Sequence, residues 1–338
     1  MITIGGKDIA DIVIDNKNVV KVQDANTLEI MWEKTSPTPT NEYFYIENTY
    51  SGNNVITVSY LTYYGVPPSN TYTTTLQYSK DKLNWTTITP SLSGVQINMS
   101  QNEKVYFRND NGLFNYADGS VEYSNTFTAS QSHSVGGNLI SLVNYNNVNN
   151  LSLQQGCFSN LFIDDTKLTD ASNLICSQQL SRKCFYHMFY GCTALTTSPS
   201  LPATTLTELC YQNMFEGCTS ITTPPELPAT TIASYCYSGM FNGCTSLTNI
   251  NLPNSVTTIG TRAFMGCSNM MSVTIPNSIT TLGEYAFSNC QELKGVTFGA
   301  NSQLKVIGNR AFIGCEKLES VYIPSKVQQI GEYAFYTL

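Results

Sequence analysis

The chain has 338 residues, 17 Lys+Arg against 24 Asp+Glu, 12% charged and 41% hydrophobic side chains, and a formal net charge of -7. That length holds two or three cores of ordinary domain size, and an acidic balance without a basic run excludes a surface built to hold nucleic acid. Two histidines, His133 and His187, leave little for acid-base, triad or histidine-ligated zinc chemistry, so the composition points to a non-enzymatic scaffold or binder that uses no cofactor.

At the N-terminus Asp8, Asp11 and Asp15 interrupt the apolar stretch that a leader peptide needs. No segment approaches the ~18 consecutive apolar residues that span a bilayer. Synthesis and first residence in the cytoplasm, without membrane insertion, are therefore expected. Residues 1–33 alternate apolar and polar side chains, as in Ile9-Ala-Asp-Ile-Val-Ile-Asp15 and Val19-Val-Lys-Val-Gln23, with Asp15-Asn16 and Asp24-Ala-Asn26 as turn signals. The pattern predicts a small β-rich module, too short to bury a core alone and hence an attachment point. Residues 34–40 contain Thr35-Ser-Pro-Thr-Pro-Thr40 and read as an extended linker. From 41 to 153, period-two runs such as Val55-Ile-Thr-Val-Ser-Tyr60 and Lys104-Val-Tyr-Phe-Arg108 predict a β-sandwich-like domain with a connector. Its aromatics, Trp85, Tyr60, Tyr63, Tyr64 and Tyr72 among them, fill the sandwich core, their commoner use, or form a sugar- or protein-contacting platform.

From 154 to 338 the sequence is periodic. Cys184-Phe-Tyr-His-Met-Phe-Tyr-Gly-Cys192, Cys210-Tyr-Gln-Asn-Met-Phe-Glu-Gly-Cys218 and Cys236-Tyr-Ser-Gly-Met-Phe-Asn-Gly-Cys244 state the unit, and Ala263-Phe-Met-Gly-Cys267, Ala286-Phe-Ser-Asn-Cys290, Ala311-Phe-Ile-Gly-Cys315 and Ala334-Phe335 continue it. Phe189, Phe215, Phe241, Phe264, Phe287, Phe312 and Phe335 follow at intervals of 26, 26, 23, 23, 25 and 23 residues. Phe162 fits one unit earlier at 27, with Asp164-Asp165 where later units have Gly-Cys. Each of about seven units is expected to run through a short strand ended by proline, as in Ser272-Val-Thr-Ile-Pro276, then a second extended piece, a glycine turn and a turn of helix carrying Ala-Phe or Met-Phe inward. Stacking merges the apolar faces into one column, Phe on Phe and Cys on Cys. The expected fold is mainly β with short helices: N-terminal β module, sandwich-like domain and C-terminal repeat solenoid.

The eleven cysteines follow the same register. Cys192, Cys218, Cys244, Cys267, Cys290 and Cys315 lie beneath the phenylalanines, and Cys184, Cys210 and Cys236 make a second register eight residues earlier. Cys157 and Cys176 stay outside, in the irregular first unit. A helical spacing separates the two cysteines of a unit by ~12 Å, too far for a disulfide. No Cys-x2-Cys pair offers zinc a site, so buried free thiols are expected. Among the acids, Asp164-Asp165 reads as a solvated turn, and Asp110-Asn-Gly with Asp118-Gly is at best a calcium-loop fragment.

The run Val273-Thr-Ile-Pro276, Leu282-Gly283, Ala286-Phe287, Cys290 and Leu293 resembles the BspA-type leucine-rich repeat. The units with Leu-Pro-Ala-Thr-Thr at 201–205 and 227–231 resemble a variant common in gut Bacteroidales and their phages. The resemblance covers about residues 155–338 and implies a leucine-rich-repeat solenoid that binds ligands at a surface. Ile4-Gly-Gly-Lys-Asp-Ile-Ala-Asp-Ile-Val-Ile-Asp15 with Asn26-Thr-Leu-Glu-Ile-Met-Trp32 resembles the N-terminal module of structural proteins of tailed phages of gut bacteria, including crAss-like phages. Together the resemblances imply a head or tail fibre on the virion surface. It docks on other virion proteins through residues 1–33 and presents its repeats to a host-surface glycan or protein. A bacterial cell-surface adhesin is the alternative, and a capsule-degrading fibre enzyme a third reading without a paired-carboxylate motif. Thr196, Thr222, Tyr211 and Tyr237 are candidate contacts, unless they cap strands or cover the column. The chain stops in mid-repeat, from which a homodimer or homotrimer that covers the last unit is expected.

Overall fold

Alternation in the first 33 residues becomes an antiparallel meander, β1 (Ile2–Ile4), β2 (Lys7–Asp15), β3 (Asn18–Asp24) and β4 (Ile30–Glu33), in that order across the sheet. Strands β2 and β3 end at Asp15 and Asp24, the residues that open the turn signals. The computed structural model describes residues 2–4, 7–15, 18–24, 30–33, 43–62, 75–109, 115–117, 122–144, 153–230, 233 and 235–336. It divides into one unit spanning Met1–Asn41 and another spanning Glu42–Leu338. Residues 34–40, Tyr63, Tyr64, Tyr72, Asp110 and Asp118 lie outside the described residues.

The second unit opens with two packed sheets. One has the order β14-β13-β5-β10-β7-β8, built from β5 (Phe44–Asn48), β7 (Leu76–Ser79), β8 (Thr86–Ile88), β10 (Lys104–Arg108), β13 (His133–Asn138) and β14 (Leu168–Ile175). The other has the order β11-β12-β6-β9, from β6 (Asn54–Thr62), β9 (Val95–Met99), β11 (Tyr116–Ala117) and β12 (Glu122–Ala129). Period two turns Ile56, Val58, Ile97, Met99, Val105 and Phe107 inward. Phe44, Phe107 and Phe127 meet between the sheets at centroid distances of 4.9 to 5.9 Å. One short helical turn, α1 (Ser141–Asn144), follows. It is the only α-helix among the described residues.

Strand β14 comes from the first repeat and pairs in parallel with β13, so the sheet runs across the expected sandwich–repeat border at 153. The Phe127 amide donates to the Leu161 carbonyl at 2.8 Å. Phe162 lies 6.0 Å from Phe44 and 6.5 Å from Phe127. Asp165 is not a solvated turn: it stands where later coils have cysteine and sits 3.1 Å from His133 Nε2, both side chains 1% exposed. The sandwich thereby closes the first coil, supplying the apolar and hydrogen-bonding cover that a terminal repeat needs.

Beyond it the coils stack by parallel bonding. The amides of Phe162, Phe189, Phe215, Phe241, Phe264, Phe287 and Phe312 donate to the carbonyls of Met188, Met214, Met240, Ala263, Ala286, Ala311 and Ala334 in the next coil, at 2.7 to 3.0 Å. Among the described residues the turn of helix expected in each unit is absent. Left-handed φ recurs every fourth residue, at Lys183, His187 and Gly191 in one coil and Leu209, Asn213 and Gly217 in the next. Intervening amides, such as Cys192 to the Phe189 carbonyl, close turns within the coil. An α-helix would spend its amides internally and leave none for the stack. Short parallel strands complete the later coils: β15 (Thr258–Ile259), β17 (Thr281–Leu282), β19 (Val306–Ile307) and β20 (Gln329–Ile330) in one sheet, β16 (Ser272–Ile275) and β18 (Gly295–Phe298) in another.

Coil length changes together with three interior positions. Five residues before the ladder phenylalanine stand Cys157, Cys184, Cys210 and Cys236, then Ile259, Leu282, Ile307 and Ile330. Four before it stand Phe158, Phe185, Tyr211 and Tyr237, then Gly260, Gly283, Gly308 and Gly331. One before it, Met188, Met214 and Met240 give way to Ala263, Ala286, Ala311 and Ala334. The longer coils hold an extra aromatic ring. The shorter ones draw the backbone in so closely that a Cβ on Gly283 would lie 2.6 Å from the Thr261 amide nitrogen.

Candidate binding surface

The residues that dominate the repeat pattern are interior. Phe162, Phe189, Phe215, Phe241, Phe264, Phe287, Phe312 and Phe335 stack in one file with centroids 5.2 to 5.7 Å apart and planes within 18° of parallel. The thiols of Cys192, Cys218, Cys244, Cys267, Cys290 and Cys315 donate to the carbonyls of Phe162, Phe189, Phe215, Phe241, Phe264 and Phe287 in the preceding coil, at 3.0 to 3.2 Å. Cysteine is thus a small buried residue whose weak donor engages that carbonyl. All eleven cysteines are free and buried. Burial raises the six thiols of the phenylalanine register, Cys244 and Cys315 to about 12.

Two candidate contacts are withdrawn by the structure. Tyr211 is 1% exposed and Tyr237 9%, because both belong to a second file, Phe158, Phe185, Tyr211 and Tyr237, stacked at 5.6 to 6.3 Å. Thr196 and Thr222 are exposed. Thr196 Oγ1 donates to the Thr169 carbonyl at 2.9 Å and so caps the preceding coil. Cys157, expected to lie outside both cysteine registers, belongs to the second one, with its sulfur 3.0 Å from that of Cys184.

Outward-facing chemistry gathers on one ridge. Two residues before the phenylalanine file, the short coils carry Arg262, Tyr285, Arg310 and Tyr333, all with φ between 54 and 57°. Arg262 and Arg310 each lie 5.6 Å from the Tyr285 ring, and Arg310 lies 5.4 Å from that of Tyr333. Arg310 Nη1 donates to the Tyr285 hydroxyl at 3.1 Å. Beside this line run Glu284, Asn309 and Glu332, all exposed. In a longer coil His187 takes the ridge position, sandwiched near Tyr186 and Tyr190. Burial, then Lys183, depress it to about 4, so it stays neutral at physiological pH.

The sandwich has a smaller platform. Trp85 is half-buried outside the phenylalanine core, 4.7 Å from the Tyr43 ring and with the Arg108 guanidinium 4.1 Å over it. Tyr60 is also half-buried. A small apolar pocket, lined by Tyr237, Phe241, Val256, Gly260 and Phe264 among others, marks the change from long to short coils. Among the described residues no three His, Cys, Asp or Glu groups are placed to hold a metal ion, and no helix is long and apolar enough to cross a membrane.

The stacked short coils and their Ala-Phe file have a counterpart among known repeats. Residues 211–338 match the BspA type leucine rich repeat region, in six copies. Six ladder phenylalanines, Phe215 to Phe335, fall inside it. The coils of Phe162 and Phe189 precede the matched stretch yet stack in the same file. No enzymatic family is indicated. Solved structures similar to this chain are bacterial proteins of the same kind. The leucine rich repeat protein of T. pallidum shows 22% identity over 56% of this chain and 83% of its own, TM-score 0.36. A leucine rich cell surface protein of Faecalibacterium prausnitzii shows 21% identity over 55% of this chain and 62% of its own, TM-score 0.32. A leucine-rich repeat protein of Bacteroides ovatus shows 19% identity over 54% and 65%, TM-score 0.25. No curated protein sequence matches the chain.

Proposed function

We propose that this protein is a non-enzymatic recognition appendage of a tailed-phage virion, a head or tail fibre. In this reading residues 1–33 dock on other virion proteins and the BspA type coils meet a host-surface glycan or protein. The observation that carries recognition is the Arg262, Tyr285, Arg310 and Tyr333 ridge, where guanidinium groups and aromatic rings alternate beside a line of carboxylate and amide groups. Aromatic faces suit sugar rings or apolar side chains, flanking polar groups set orientation, and repetition multiplies weak contacts. Glycan-array and host-surface-protein binding by the full chain test this. Binding that falls at least tenfold in Arg310→Ala with Tyr333→Ala is expected, and absence of binding to both ligand classes overturns it.

A virion setting is supported by the N-terminal meander, a separate small unit where an attachment module is expected. Immunogold imaging of purified virions should label appendages. A bacterial cell-surface adhesin is the second reading, favoured by the family match. Label on uninfected bacterial surfaces and none on virions establishes it and ends the first. In either setting the chain is proposed to assemble as a homodimer or homotrimer, with the exposed Tyr322, Ile330 and Tyr336 as apolar candidates for the contact. Light scattering that finds a stable monomer overturns that assembly.

A further inference from the structure

The second cysteine register differs from the first in bringing sulfurs of neighbouring coils together. In the first, every thiol from Cys192 to Cys315 engages a backbone carbonyl. In the second, Cys157 Sγ lies 3.0 Å from Cys184 Sγ, and Cys210 and Cys236 are hydrogen-bonded thiol to thiol, although Cys236 Sγ also lies 3.0 Å from the Thr207 carbonyl and 2.9 Å from that of Ala233. Four cysteines in register therefore divide into two couples, each joining neighbouring coils. Parallel neighbours in register have Cα atoms about 4.8 Å apart, inside the ~4.4–6.8 Å window for a disulfide. A side-chain adjustment of about 1 Å brings the first couple to the ~2.05 Å bond length. In the short coils the same position holds Ile259, Leu282, Ile307 and Ile330, so the fold requires only an apolar side chain there.

We propose that Cys157–Cys184 and Cys210–Cys236 are paired disulfide sites that staple adjacent coils when the protein meets an oxidising medium. A small-molecule disulfide is the oxidant. One cysteine loses its proton and attacks a sulfur of that molecule, releasing one small thiol and leaving a mixed disulfide. The second cysteine loses its proton, attacks the protein sulfur of the mixed disulfide and releases the second small thiol. Each couple gives up two electrons, which reduce the oxidant to two thiols, and its two protons pass to the departing thiolates. Cys236 is the better entry point of its couple: the hydrogen bond with Cys210 lowers it, whereas burial holds Cys218 and Cys267 of the first register well above their ordinary value. The inference goes beyond the functional reading and does not depend on which surface carries the protein. Virion and cell surface alike lie outside the reducing cytoplasm.

The test uses the full chain, purified reduced. One portion is exposed folded to oxidised glutathione, and another is refolded in a glutathione redox couple. Both are then alkylated under denaturing conditions and peptide-mapped without reduction. Linked peptides joining Cys157 to Cys184 and Cys210 to Cys236, each lighter by two hydrogens, with the six cysteines of the first register alkylated, are expected in one arm or both. Cys157→Ala should remove the first linkage alone. Only glutathione adducts, scrambled links between registers, or no link in either arm overturns the proposal.

Discussion

At the scale of single residues, Tyr211 and Phe185 occupy the same file, yet only the tyrosine brings a hydroxyl, and that oxygen has no hydrogen-bond partner among the described residues. An unsatisfied buried hydroxyl costs about 1–3 kcal/mol. Tyr211→Phe should therefore stabilise the protein by about 1 kcal/mol, read as a higher urea midpoint at unchanged slope. The first cysteine register makes a pH-dependent contribution. Burial lifts Cys244 and Cys315 from 9.0 to about 12, so between those values the unfolded chain has lost protons that the folded one keeps. Stability is then fully present below pH 9 and is lost as pH rises towards 12, the sign required when the folded state binds more protons. Thermal melts from pH 8 to 11 should fall with pH, and less steeply in Cys244→Ala with Cys315→Ala after allowance for the variant's lower starting stability.

Elements add a constraint that residue type alone does not carry. The four glycines of the short coils follow the aromatic file of the long coils in register, and at Gly283 the atoms a Cβ would strike are backbone, Thr261 N at 2.6 Å and Gly260 C at 2.7 Å. Backbone held by inter-coil hydrogen bonds yields poorly, so Gly283→Ala should cost about 2–3 kcal/mol. Gly295→Ala, with nothing within 4 Å of its new Cβ, is the control and should change the urea midpoint little. Much of this element was legible: the Ala-Phe and Met-Phe spacing located the file, and the glycine-cysteine endings located the corner. The helical turn was not, because a 3.6-residue helix and a chain of four-residue turns leave nearly the same apolar spacing in sequence. The choice between them rests on where the alternate amides find their acceptors.

For the whole molecule, the sandwich is the end cap of the solenoid. The His133–Asp165 pair sits in that joint at 1% exposure on both sides. Removing the carboxylate takes from buried His133 the polar group beside its Nε2, so Asp165→Asn should cost about 1–3 kcal/mol. His133→Leu with Asp165→Leu should recover part of that loss, both measured by scanning calorimetry. The candidate surface was only partly legible. Tyr211 and Tyr237 look outward by their place between cysteine and glutamine or serine, whereas the extra length of their coils turns them in. The ridge residues Arg262, Tyr285, Arg310 and Tyr333 carry a signal in hindsight, all lying two positions before a ladder phenylalanine. Their alternation of arginine with tyrosine is visible only once the 23- and 25-residue units are aligned.

By itself the sequence determined the periodic half: recurrence of Phe, Cys and Gly at 23 to 27 residues admits little besides a stacked solenoid. Those features are local to each unit and survive without knowledge of any neighbour. Tertiary structure alone decided that β14 joins the sandwich sheet, that Asp165 meets His133, and that Cys157 meets Cys184. Each is a contact between segments separated by at least 27 residues, and no local propensity encodes which distant partner will occupy the other side of a hydrogen bond or a van der Waals surface.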